Sequence, residues 1–159
     1  MASAVPLVLL ALLLARSGPG GRSMPDEGRH HVARGTPVAY GHRPPTSGPH
    51  WPQPERWGVH DEPVPPEAWV HNLEHGGLVI LYRCARPCPE LLGLLAGAYQ
   101  TFPRSKWGHV KLLIAPYPRL SVPLAILAWA WIDELPGFDR ERLLRAYTAH
   151  VDRGPEDLP

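Results

Sequence analysis

The chain has 159 residues, with sixteen Lys+Arg against fifteen Asp+Glu and a formal charge of +1, and no basic run is longer than a pair. That balance lacks the footprint of a phosphate-backbone binder, so nucleic acid is not an expected partner. Hydrophobic residues at 44% with six Trp exclude a disordered chain and fit about one domain.

The chain opens MASAVPLVLLALLLARS, in which residues 4–15 form an uncharged apolar run, short for a bilayer span but suited to a signal-peptide h-region. Small residues at Ala15 and Ser17 permit cleavage before Gly18. No Lys or Arg precedes the run, so residues 1–17 also read as a retained short membrane anchor. Residues 18–29 read as a flexible tether and residues 30–159 as a single domain, secreted or anchored to the cell membrane outside the cytoplasm.

Twenty-one prolines are the oddity of the composition, and nine of them lie between positions 36 and 66. Within this region PPTSGPHWP, residues 44–52, has φ fixed at four prolines. It can therefore present His50 at low ordering entropy, with Thr46, Ser47, Gly48 and Pro49 as the supporting loop. Trp51, Trp57 and Trp69 need cover, so the region is expected to wrap across the core.

Next comes VHNLEHGGLVILYRC, residues 70–84. His71 and His75 are spaced i, i+4, so a helical turn over residues 70–75 projects both imidazoles from one face. With His50 they make a three-histidine set suited to zinc or copper, with Glu74 as a fourth ligand or an acceptor orienting an imidazole. The bland alternative is that these histidines bond backbone groups and pack on tryptophans. The same residues spell H-x-x-E-H, the inverted zinc-peptidase motif with Glu74 as base, but Gly76-Gly77 breaks the long helix such enzymes need. His30, His31, His42, His60, His109 and His150 have weaker claims, being isolated from a second ligand or near the termini, and His60 is the best of them.

Residues 78–82 read as a strand, followed by Cys84 and Cys88, the only cysteines. In an oxidising compartment they are expected to form a disulfide, structural in the plain reading. C-x-x-x-C before a helix-starting Pro89 also fits a thiol redox or copper-transfer site. Leu91, Leu94, Leu95, Ala98 and Tyr99 give residues 89–101 a helical stripe ended by Pro103, and Gly93 and Gly97 suggest a close helix-to-sheet approach. Residues 109–115 read as a strand. Residues 120–135 fit helix and strand equally by periodicity, and Asp139 can cap a last helix with Leu143, Leu144, Tyr147 and Val151 on one face.

The strings PPTSGPHWP, WGVHDEPVP, VHNLEHGGLVILYRC, LLIAPYP and GPEDLP, in this order, closely resemble the bacterial domain of unknown function 3105 family over about residues 30–159. The resemblance implies an exported or membrane-anchored protein without an assigned activity. By motif it picks out Ser47, Gly48, Pro49, His50, His71, Glu74, His75 and Gly76, puts His60 where Tyr is more usual, and favours a strand over residues 124–131.

The expected fold is α+β, a small mainly antiparallel sheet with two covering helices and a long proline-rich loop region. The alternative is thioredoxin-like, with Cys88 at a helix N-terminus and Val122-Pro123 as a cis-proline loop, although residues 115–122 leave no room for the extra helix. The leading functional reading is zinc or copper binding through the histidine cluster. Beside it stand thiol redox or copper transfer through Cys84 and Cys88, a metallohydrolase using Glu74, and a non-catalytic interaction domain using the tryptophan-rich loop.

Overall fold

A computed structural model describes residues 20–159 of the protein. The leader-like segment, residues 1–17, and the first two residues of the expected tether lie outside the described residues. In chain order the elements are β1 (Arg22–Ser23), β2 (Gly58–Val59), α1 (Pro66–Glu74), β3 (Leu78–Tyr82), α2 (Pro89–Thr101), β4 (Leu112–Pro116), β5 (Leu124–Ala128), β6 (Trp131–Leu135) and α3 (Arg140–His150).

The strands form one six-stranded sheet in the order β1-β6-β5-β3-β4-β2, so the fold is α+β as expected. Pairing is antiparallel for β1/β6, β3/β5 and β5/β6, and parallel for β3/β4 and β2/β4, which makes the sheet mixed. The parallel β3/β4 pair follows from α2, which carries the chain from one end of β3 back to the start of β4. The order β6-β5-β3-β4, with one helix inside the parallel pair and another after the hairpin, is also that of the thioredoxin-like alternative. Residues 117–123 between β4 and β5 are irregular where that pattern needs a helix. Val122-Pro123 is not cis; the cis bond among the described residues is Arg43-Pro44.

The continuous apolar runs LVILY, LLIAP and LAILA are explained by cover on both faces. Leu78, Ile80, Ile114, Leu124 and Ile126 face α2 and α3, meeting Leu95, Ala98, Leu143 and Tyr147. Their neighbours Val79, Leu81, Leu113, Ala125 and Leu127 face the other way, onto Trp69, Val70 and Leu73 of α1. The expected pair of helices thus covers one face only, and α1 with the proline loop covers the second. Trp69 is fully buried there, and Trp51 and Trp57 are half-buried against the same cluster, so the proline region does wrap the core.

The structure departs from the sequence expectations at four places. Residues 124–131 are not one strand: β5 ends at Ala128, Ala130 takes a positive φ of 50°, and the chain returns as β6. The tether is ordered from β1 onward, since Arg22 and Ser23 pair with Ile132 and Trp131. Gly93 and Gly97 serve no close approach, because a Cβ on either would meet nothing within 4 Å. The turn carrying His71 is a full nine-residue helix with Pro66 at its start and Glu67 in its first turn.

Candidate metal centre

The C-terminal turn of α1 supplies His71 and Glu74, with His75 as its C-cap. The Gly76-Gly77 pair stops the helix there. Gly76 takes φ +75°, a left-handed conformation, and a Cβ on it would come within 2.8 Å of the Arg153 and Gly154 amides. At Gly77 a Cβ would strike the Trp57 ring. Asn72 fixes the helix laterally, donating from Nδ2 to the Glu55 carbonyl (2.8 Å) and accepting the Glu55 amide at Oδ1 (2.9 Å).

His50 arrives from the proline loop, which is braced at every residue the sequence singled out. Ser47 Oγ accepts the Glu27 amide (2.9 Å), the Thr46 carbonyl accepts the Ala130 amide (3.0 Å), and the Pro49 carbonyl accepts the Tyr40 hydroxyl (2.8 Å). The Gly48 amide donates to the Gly28 carbonyl (2.8 Å), beginning a short parallel pairing in which Val32 N donates to His50 O at 2.8 Å. That pairing sets His31 beside His50 as an isolated bridge.

Four residues converge: His31, His50, His71 and Glu74 each offer a ligand atom, all within 4.8 Å of one another. The ring centroids of His50 and His71 are 5.1 Å apart, and those of His31 and His71 are 5.1 Å apart and stacked. His50 is 0% exposed and Glu74 1%, whereas the His31 side chain is 46% exposed and closes the outer side. Glu74 Oε2 lies 2.8 Å from His50 Nε2 and 3.7 Å from His31 Nε2. His75 is turned toward the C-terminal segment and forms a second group with Glu74 and Glu156, while its Nε2 faces His71 Nε2 at 3.0 Å.

Proton placement decides what this arrangement can do. Nδ1 of His50 faces the Gly48 carbonyl (2.8 Å), that of His71 the Trp51 carbonyl (2.7 Å), and that of His75 the Pro159 carbonyl (3.1 Å). A carbonyl only accepts, so all three Nδ1 atoms carry the proton and a neutral ring presents a lone pair at Nε2. The Nε2 atom of His50 faces the Glu74 carboxylate and those of His71 and His75 face each other, so a shared cation, a proton or a metal ion, satisfies both contacts. Burial, and to a lesser degree the nearby His75 and His50 rings, hold the His71 pKa below its ordinary value, although the Trp51 carbonyl and Glu74 oppose the shift. A metal ion bound to imidazoles anchored by their second nitrogen fits the donor set.

The structure thus brings His50, His71 and Glu74 together and places His75 alongside. It adds His31, whose claim is weak by sequence because its partner His50 lies 19 positions away and meets it only through the bridge between the two segments. Lys111 was also missed. Its Nζ is fully buried and donates to the His75 carbonyl (2.8 Å) and the Leu158 carbonyl (2.5 Å), clamping the C-terminal segment over the cluster. His60 stands apart at β2, its Nε2 on the Arg56 carbonyl at 2.9 Å, and His150 packs on Trp131.

All of the converging residues fall inside the one family match found, to DUF3105, a protein family of unknown function, over residues 31–158. The chain belongs to the DUF3105 family. Neither the curated proteins nor the solved structures contain a match. For DUF3105, then, the chemistry of this chain rests on its own side chains.

Proposed function

We propose that the protein binds one zinc or copper ion between His50 Nε2, His71 Nε2, His31 and the Glu74 carboxylate, for storage, delivery or structure. The observation that carries this is the set of imidazoles whose Nδ1 atoms are spent on main-chain carbonyls, leaving lone pairs that converge with a buried carboxylate. Imidazole with one carboxylate suits zinc and copper alike. Burial of Glu74 beside His50 supports a role as ligand over that of a base activating water.

Elemental analysis of purified protein is expected to find about one ion per chain after saturation and dialysis. His71→Ala is expected to remove it while the far-ultraviolet circular dichroism stays native. Unchanged stoichiometry in a folded His71→Ala protein ends the proposal. We place the protein outside the cytoplasm, on the leader-like sequence and on the disulfide that Cys84 and Cys88 form. Among the described residues no helix is long and apolar enough to cross a membrane.

A further inference from the structure

The disulfide lies at the opposite end of β3 from the histidines, between Tyr82 and the start of α2. A cleft of about 750 Å³ opens there, outside the carboxyl ends of the parallel strands β3 and β4, where sheets of this kind commonly bind ligands. Cys84 and Cys88 both line it, together with the apolar walls Leu92, Pro116, Tyr117 and Pro123. Both cysteines are partly accessible. A cystine serving only to staple the loop has no need of such a cleft.

The two sulfurs differ in surroundings. Cys88 is the N-cap of the 13-residue α2; Pro89 follows at the first helical position, and no side chain caps the first amides. A thiolate on Cys88 would therefore stand at the positive end of the helix dipole, where no side chain competes for the Glu90 and Leu91 amides. Arg83 and Arg86 line the same cleft, and their guanidinium groups add positive charge. Cys84 lies ahead of the helix and lacks that terminus, so Cys88 is the better leaving group.

We infer that the Cys84–Cys88 disulfide is an exchange site that oxidises a peptide dithiol docked in this cleft. A substrate thiolate attacks Cys84 Sγ, the Cys84–Cys88 bond breaks, and Cys88 departs as a thiolate. The second substrate thiolate then attacks the substrate sulfur of the mixed disulfide and releases Cys84. The peptide loses two electrons and becomes a disulfide, while the protein gains them, with two protons, as two thiols. The apolar walls suit a peptide with hydrophobic residues beside its cysteines.

The test mixes full-length oxidised protein at pH 7, stripped of metal by chelation, with an equimolar synthetic peptide carrying two cysteines separated by two residues. One peptide disulfide and two titratable protein thiols per chain are expected, with unchanged circular dichroism. A peptide that stays reduced, or protein thiols that appear only in denaturant, overturns the inference. In Cys84→Ser, the 240 nm thiolate absorbance of Cys88 is expected to titrate below the ordinary value of about 8.5; titration at or above it refutes Cys88 as the leaving group. Because the protein is stripped of metal, peptide oxidation is read independently of metal uptake, so failure here and failure of the metal site are distinguished.

Discussion

His31 is the most exposed member of the cluster, and it reaches the site through one short pairing with His50. His31→Ala is expected to weaken metal binding without abolishing it, as measured by competition with a chromophoric chelator. His150 gives a separate handle. Its ring is half-buried, with its centroid 4.3 Å from that of Trp131, and burial first, then the Arg153 charge, lowers its pKa. The unfolded chain takes up the proton at about pH 6.5, before the folded one does. His150 therefore costs stability as pH falls below that value, and its contribution is flat above it. His150→Gln is expected to flatten the acid side of a melting-temperature profile recorded on metal-free protein. At this scale the sequence was informative where neighbours in the chain are neighbours in space, as for His71 and Glu74 on one helix. It ranked His31 low and was silent on Lys111, because the partners of both come from other segments.

Among the elements, α3 shows the most legible logic. Asp139 accepts the Arg142 amide at 2.9 Å as its N-cap, and the Arg142 guanidinium reaches back to Asp133 of β6 at 2.5 and 2.8 Å. Asp139→Ala is expected to lower stability by about 1 kcal/mol, read from chemical denaturation. Gly77→Ala forces a methyl group into the Trp57 ring and is expected to cost about 1–3 kcal/mol, with Trp57 fluorescence shifting as the ring moves. The helix over residues 89–101 and the strand over residues 78–82 were readable because periodicity, Pro89 and Pro103 all agree. The β5/β6 hairpin was not readable. Its turn at Ala130 carries neither Gly nor Asn, so the residue that reverses the chain looks like one more apolar position.

The whole molecule is a sheet buried on both faces, with the proposed metal site at one end of β3 and the disulfide at the other. The α+β class was legible from the element types, whereas the parallel pairs were not, because pairing direction depends on where a crossover helix returns the chain. If the cluster holds an ion only when folded, saturating metal at about 100 times its dissociation constant adds about 2.7 kcal/mol to stability. Calorimetry with and without chelator is expected to show that gain in the native chain and none in His71→Ala.

The pairing of residues 31 and 32 with His50 ends in a bend where the Thr36 amide closes onto the Ala33 carbonyl at 3.0 Å, and Arg34 is exposed at its tip. A trypsin nick after Arg34 would sever the covalent path between His31 and the rest of the cluster. Metal occupancy should therefore read out as protection: loaded protein resists the nick, and once nicked, the amino-terminal fragment stays associated until the ion is withdrawn.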